Sequence, residues 1–264
     1  MNRKKRKAMN RYIVKHTETM GINKPRERIG GKADQLFNIT PQLLPYWSVI
    51  TADCPDDKLE EVCWEIINPK STLRYAVRSS AVGEDGKDQS YAGIFESKLN
   101  VPITGIEHAV REVRDSMYSK RVSAYSNTVA TAKDPRTLKQ HEYLALKTAV
   151  IVMPMVKARY SGVLFSKEPV GGTNQMLVEW EEGVGGVVDG ESNSNMFFLT
   201  QEDFHEDRFN ELCLHADAAL YIIWQEAKRL EKNYGKPVDI EWAITEEGRP
   251  YVLQVRPITA GVTV

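Results

Sequence analysis

The chain has 264 residues, 42% of them hydrophobic, which supports a substantial core and allows one large domain or two lobes of ordinary size. A formal net charge of −1 with 27% charged residues gives no global electrostatic reason to seek nucleic acid or a membrane as the main partner, and leaves small-molecule chemistry open. Cys54, Cys63 and Cys213 are odd in number and form no C-x-x-C pair, which argues against a disulfide framework or a zinc site and fits a reducing cytoplasm.

The first residues, Arg3-Lys4-Lys5-Arg6-Lys7, have the composition of the basic part of a signal peptide. The following Asn10-Arg11-Tyr12-Ile13-Val14-Lys15 breaks any apolar segment, so secretion is not expected. Residues 1–27 carry many charges and little periodicity and read as a basic lead-in, its basic head either a disordered solvated tail or a contact for RNA or acidic surfaces, with no other nucleic-acid role expected. The longest apolar stretch, residues 149–156, is far shorter than the roughly 20 residues of a membrane helix. A soluble, cytoplasmic protein is expected.

The fold is expected to start near Ile29. Gly30-Gly31-Lys32 opens a short helix over residues 33–38; glycine there either lets backbone N–H groups approach an anion beside Lys32 or simply makes a turn with a surface lysine. Pro41 and Pro45 end that segment, and residues 47–51 read as a strand. Residues 73–77 form a second strand that delivers Arg78, Ser79 and Ser80 into a long Gly/Ser/Asp-rich loop ending at Gly93, before a third strand over 94–101 that includes Ser97. A loop of that length is either a surface excursion or a flap over a ligand, and Arg78 at the strand exit with two hydroxyls after it suits a phosphate.

Residues 106–125 space Val110, Val113, Met117, Ala124 and Tyr125 as a packing helix, and 127–141, polar and containing Pro135, form a loop. Strands follow over 147–156, 160–165 and 176–180, the last running into the glycine cluster Gly183, Gly185 and Gly186, which either cradles a ligand or turns the chain. Leu220, Ile223, Trp224, Ala227 and Leu230 make the apolar stripe of a helix over 215–234 that Gly235 and Pro237 stop.

The last two runs, Val238-Asp239-Ile240-Glu241-Trp242 and Tyr251-Val252-Leu253-Gln254-Val255-Arg256-Pro257, flank the turn-rich residues 245–250 and read as an antiparallel hairpin. Strand alternation separates Val238, Ile240 and Trp242 from Asp239 and Glu241, and Tyr251, Leu253 and Val255 from Val252, Gln254 and Arg256. One face therefore gathers two carboxylates, an amide and a guanidinium. It is either an ordinary solvated face or a site where Asp239, Glu241 and Gln254 offer oxygens to Mg2+ while Arg256 forks onto a phosphate.

Taken in order, Val77-Arg78-Ser79-Ser80-Ala81 with Glu84-Asp85, then Tyr91-Ala92-Gly93, the run from Ser161 to Pro169, Asp239-Ile240-Glu241-Trp242 and Gln254-Val255-Arg256-Pro257 resemble the nucleotide-binding domain of the phosphoenolpyruvate synthase and pyruvate phosphate dikinase family. That domain is an ATP-grasp relative also found in rifampin phosphotransferases. The resemblance spans about residues 29–259 and implies an α+β, two-lobed ATP-grasp fold with mixed or antiparallel sheets and packing helices. It implies residues 28–154 as an N-terminal lobe with the phosphate-binding loop and 155–262 as a C-terminal grasp lobe with the metal-binding hairpin. It also implies ATP and Mg2+ as cofactors: Lys32 and Arg78 on the phosphates, the flap around Gly93 and Ser97 over them, Glu241 and Gln254 carrying Mg2+ with Asp239 assisting, and Arg256 beside the phosphates.

Met153 stands where the family commonly has a glutamine that meets the adenine, and Gly186 where it usually has a glutamate after Gly183-Val184-Gly185. The family's swivelling histidine signature is not seen around His16, His108, His141, His205 or His215. The expected function is an ATP- and Mg2+-dependent phosphotransferase component, with Arg78 and Arg256 acting on the transferred group and the acceptor supplied in trans by a phosphohistidine protein or a small molecule. A non-catalytic ATP-binding sensor or regulatory module is the alternative.

Overall fold

Short β-branched runs separated by glycine- and proline-bearing turns pair into two five-stranded sheets, every pairing antiparallel among the described residues. The computed structural model describes residues 9–16, 26–67, 73–81, 97–116, 148–169, 175–183, 195–200 and 214–258. The chain divides into two compact units, Met1–Phe37 with Tyr46–Met155, and Asn38–Pro45 with Val156–Val264. This is the expected α+β architecture.

Unit 1 holds strands β1 (Ile13–Lys15), β2 (Ser48–Ile50), β3 (Tyr75–Ser80), β4 (Ser97–Val101) and β5 (Ala149–Pro154), in the order β1-β2-β5-β3-β4. On one face Ile50, Tyr75, Val77, Val150 and Val152 are buried with Leu59, Val62, Cys63 and Ile66 of helix α2 (Leu59–Ile66) and Ile106, Val110 and Val113 of helix α3, helical over residues 106–116. The spacing of the α2 residues, one helical turn apart, is what makes that face apolar. Helix α1 (Arg26–Leu36) packs near β2, β3 and β5 and buries Ile29, Ala33 and Leu36.

Three expectations for this unit need correction. The loose lead-in does not extend over residues 9–16: Met9, Tyr12, Ile13 and Val14 are buried, and β1 pairs with β2 through Val14 opposite Val49. Arg78 does not lie at a strand exit, because β3 continues through it to Ser80. The helix expected over 33–38 is the second half of α1, which is interrupted at Gly30 (φ 75°, ψ 174°) and ends at Leu36.

Unit 2 holds β6 (Ala158–Phe165), β7 (Met176–Glu182), β8 (Asn195–Leu199), β9 (Val238–Thr245) and β10 (Pro250–Pro257), in the order β10-β9-β6-β7-β8. Helix α4 (Leu214–Tyr234) lies on β6, β9 and β10 and buries Leu220, Ile223, Ala227 and Leu230 completely. Gly235, at φ 64°, then takes the left-handed conformation that ends the helix. Gly162 allows β6 and β7 to approach closely: a Cβ there would lie 2.0 Å from the carbonyl oxygen of Glu179. Ser166 ties β6 to β9 in both directions, its Oγ accepting from the Val238 amide at 2.9 Å and its amide donating to the Val238 carbonyl at 2.8 Å.

A buried carboxylate helps to hold the segment Asn38–Pro45 within unit 2. Glu226 of α4 accepts from the Thr40 amide at 2.7 Å and the Thr40 hydroxyl at 2.9 Å, and Arg229 donates to the same carboxylate at 2.6 Å and to the Asn38 carbonyl at 2.6 Å. Burial pushes the Glu226 carboxyl up, but the bonds from Arg229 and Thr40 outweigh it and hold the group below the usual carboxylate range. Among the described residues no helix is long and apolar enough to cross a membrane.

Candidate functional site

The polar residues of unit 2 sit where β9 and β10 meet. Thr245 and Arg249 close the hairpin, the Thr245 amide donating to the Arg249 carbonyl at 3.1 Å, with Gly248 at φ 75° in the turn. Val252 lies opposite Trp242, then the register shifts across Leu253, so that Gln254 lies opposite Glu241, Val255 opposite Ile240 and Arg256 opposite Asp239. Directly opposed residues share a face. The extra residue at Leu253 is a β-bulge.

The bulge corrects the expected faces in one strand. Strict alternation put Val252 with Gln254 and Arg256, and Tyr251 with the core. Instead Val252 is fully buried on the Trp242 side, and Tyr251, opposite Ala243, lies on the Glu241 side. The polar set itself stays together: Asp239, Glu241, Gln254 and Arg256 share one face, and α4 packs on the sheet that carries Trp242 and Ile240.

This face is not an ordinary solvated one at its centre. Glu241 is 6% exposed and Gln254 4%, and carboxylates and amides are rarely buried this far without a polar environment built for them. At the other pair, Arg256 Nε donates to Asp239 Oδ1 at 3.0 Å, with the Asp239 side chain 13% exposed and that of Arg256 41%. Val163 opposite Glu241 continues the row to Glu179 on β7. Among the described residues no group of three or more His, Cys, Asp and Glu side chains is placed to hold a metal. One buried carboxylate beside one amide oxygen instead fits a hard divalent cation that completes its shell from phosphate oxygens and water.

In unit 1 the predicted residues gather around a knot of backbone. Gly30 lies so close to β3 that a Cβ on it would sit 2.0 Å from the Ser80 carbonyl oxygen. The Gly31 amide donates to the Ala81 carbonyl at 2.9 Å, and the Ala33 amide donates to Ser80 Oγ at 3.0 Å. The Gly31 and Ala33 amides therefore serve the fold, which favours the turn over the anion site among the two readings of the Gly-Gly-Lys run. The paired hydroxyls also part company: Ser80 caps the half of α1 that follows Gly30, while Ser79, fully buried, has no hydrogen-bond partner for its Oγ.

Arg78 lies opposite Ser97 on β4 and Ile151 on β5, and Met153 lies opposite Ala76. Alternation from Ser80 places Arg78 and Ala76, and with them Ser97 and Met153, on the face that α1 covers. Lys32 adjoins Ala33, whose amide meets Ser80. Arg78 and Lys32 are half-buried, Ser97 is exposed and Met153 is 3% exposed. Gly93, Gly186 and the Glu84-Asp85 and Tyr91-Ala92 motifs lie outside the described residues.

Two working residues escaped the sequence reading, Ser80 as a helix cap and Glu226 as the clasp on Thr40. Ser80 gave no local signal, because its partner is 47 residues away. Glu226 did give one: a carboxylate between Ile223 and Leu230 sits inside an apolar helical stripe, where a charge needs a buried partner. The two described thiols are ordinary core groups, Cys54 pushed up to about 11 and Cys63 to about 12 by burial.

Residues 47–211 and 199–262 match the family described as pyruvate phosphate dikinase, AMP/ATP-binding domain. A probable phosphoenolpyruvate synthase of Archaeoglobus fulgidus is 31% identical over 70% of this chain and 27% of its own length. A rifampicin phosphotransferase of Streptomyces is 29% identical over 78% of this chain and 26% of its own length. The chain thus spans about a quarter of these relatives. Among solved structures, PH1788 from Pyrococcus horikoshii aligns with a TM-score of 0.50 at 12% identity, covering 88% of this chain and 91% of that one. The Gly30-Gly31-Lys32 run precedes the matched residues and is joined to them physically by its bonds to Ser80 and Ala81. With its two antiparallel sheets and packing helices in two compact units, the chain belongs to the pyruvate phosphate dikinase AMP/ATP-binding domain family and has the two-lobed ATP-grasp fold.

Proposed function

We propose that this domain is the ATP- and Mg2+-dependent nucleotide-binding component of a phosphotransferase, with the phosphoryl acceptor, a histidine on a separate protein or a small molecule, supplied in trans. The observation that carries the reading is the buried Glu241–Gln254 pair on one face with Asp239 and Arg256. Relatives named phosphoenolpyruvate synthase and rifampicin phosphotransferase support a transfer chemistry. In this reading Glu241 and Gln254 hold Mg2+, with Asp239 beside them, while Lys32, Arg78 and Arg256 bind phosphate oxygens and Ser97, Gly93 and Met153 contact the nucleotide. When bound, Mg2+ neutralises charge on the phosphates as it redistributes during transfer. The guanidiniums of Arg78 and Arg256 act in the same sense, as planar donors matched to phosphate.

The test is product analysis. The purified chain is incubated with ATP and Mg2+, alone and with a candidate histidine domain or small acceptor, and AMP and ADP are quantified. Nucleotide binding with product released only when acceptor is added supports the reading, and Arg78→Ala and Arg256→Ala should both slow that release. Rapid steady AMP production by the chain alone, unchanged when each histidine is replaced, points instead to a self-sufficient enzyme.

A further inference from the structure

We infer that Asp239 works on the nucleotide through Arg256, as its positioning residue, and does not act as a ligand of the metal. The inference rests on the nucleotide-site reading and refines the part given there to Asp239. Three observations carry it. Asp239 and Arg256 are directly opposed across β9 and β10. Arg256 Nε donates to Asp239 Oδ1 at 3.0 Å. The carboxylate is nearly buried, at 13% exposure, while the guanidinium reaches out at 41%.

A guanidinium carries five N–H donors in one plane, and fixing its Nε–H fixes that plane and the direction of the Nη edge. Arginine recognises phosphate by that edge. A long, half-exposed side chain otherwise samples many rotamers, and ordering them opposes binding. Asp239 thus supplies the order in advance. Glu241 differs in exposure and partner: it is 6% exposed, and Gln254, not a guanidinium, is opposed to it.

The sign of one measurement separates the possibilities. A carboxylate near phosphates repels them, so removing a merely nearby Asp239 strengthens ATP binding. Removing a positioning Asp239 weakens it. We would measure ATP affinity calorimetrically in the presence of EDTA, and the Mg2+ concentration needed for half-maximal nucleotide stabilisation, for wild type, Asp239→Asn, Asp239→Ala, Arg256→Ala and the Asp239→Ala/Arg256→Ala pair. Melting curves report folding, and Asp239→Asn, which keeps size and an acceptor oxygen, guards against an Ala variant that fails to fold.

The expected result is Mg2+-free ATP affinity in the order wild type, Asp239→Asn, Asp239→Ala, with the last weakened on the order of 5-fold, the size of coupling usual between contacting residues. The loss should vanish when Arg256 is already alanine, and the Mg2+ requirement should not move. Unchanged or tighter Mg2+-free binding in Asp239→Ala with a raised Mg2+ requirement overturns the inference and makes Asp239 a metal ligand. Equal losses with and without Arg256 overturn it as well. If Arg256→Ala itself leaves ATP affinity unchanged, the nucleotide-site reading of this face has failed, and the inference with it.

Discussion

In unit 1, the Ala33 amide donates to the Ser80 hydroxyl and the Gly31 amide donates to the Ala81 carbonyl, so the residues of two sequence motifs are occupied with each other. In unit 2, Glu241, Gln254, Asp239 and Arg256 form two cross-strand pairs on one sheet face, while the apolar residues between them carry the packing. The first arrangement joins the interruption within α1 to the end of a strand. The second leaves polar groups aligned on a scaffold whose stability comes from the other face. Motif residues of one family thus divide into those that build the frame and those that are presented by it.

The largest expected effect tests the scaffold side of the contrast. Trp242 is 1% exposed, so Trp242→Ala should cost about 3–5 kcal/mol in denaturant unfolding through the cavity it leaves. A variant that melts like wild type would show that the hairpin faces are assigned the wrong way round. Gly30→Ala should cost nearly as much, about 3 kcal/mol, because its backbone conformation is one that L residues avoid and its Cβ would overlap the Ser80 carbonyl. Gly183→Ala is the control: φ is 91° there, yet a Cβ meets nothing within 4 Å, so conformational strain of about 1–2 kcal/mol is all that is expected. Equal costs at the two glycines would remove the close approach from the account of unit 1.

Glu241→Gln addresses the presented side. Saturation with Mg2+-ATP at about 100 times its dissociation constant should stabilise the wild type by about 2.7 kcal/mol, and that gain should disappear in the variant while its unliganded melting stays close to wild type. A variant that unfolds as Trp242→Ala does would make Glu241 part of the frame.

Glu226 sharpens the comparison, since it shows unit 2 also using a polar group structurally. Its carboxyl lies below the usual range when folded, so the stability it adds is fully present above the unfolded carboxylate value, about 4.3, and is lost as pH falls below that. Glu226→Gln should flatten this part of the pH–stability curve, an effect of about 1–2 kcal/mol given four hydrogen bonds to one buried carboxylate. If the acid limb of the curve is identical in the variant, the clasp on Thr40 contributes nothing to folding.

Much of this was legible in the sequence, and the misses have physical causes. Strands β2, β3, β5, β6, β7, β9 and β10 and helix α4 announce themselves by β-branched runs or a 3.6-residue stripe. β1 is only Ile13-Val14-Lys15 and gains its identity from pairing with β2, and β8, Asn195–Leu199, is an edge strand with Met196 and Phe198 exposed, so alternation gives little contrast. Helix α2 carries the same kind of signal in the helical spacing of Leu59, Val62, Cys63 and Ile66. At the site, the grouping of Asp239, Glu241, Gln254 and Arg256 followed from alternation, whereas the Gly30–Ser80 contact and the use of Gly31 and Ala33 amides depend on chain segments some fifty residues apart. No local pattern encodes such a contact.

The bulge at Leu253 has a consequence for insertions and deletions. Because Val252 faces Trp242 and Gln254 faces Glu241 on consecutive β9 positions, Leu253 is supernumerary to the ladder. Deleting it would shorten β10 by one residue and leave each cross-strand partner unchanged, whereas deleting Gln254 or Val255 with the bulge kept would set Arg256 opposite Ile240 and turn it to the other face. A single-residue gap is therefore tolerable at one place in this strand and disruptive a few ångströms away, and the hairpin can change length without changing what it displays.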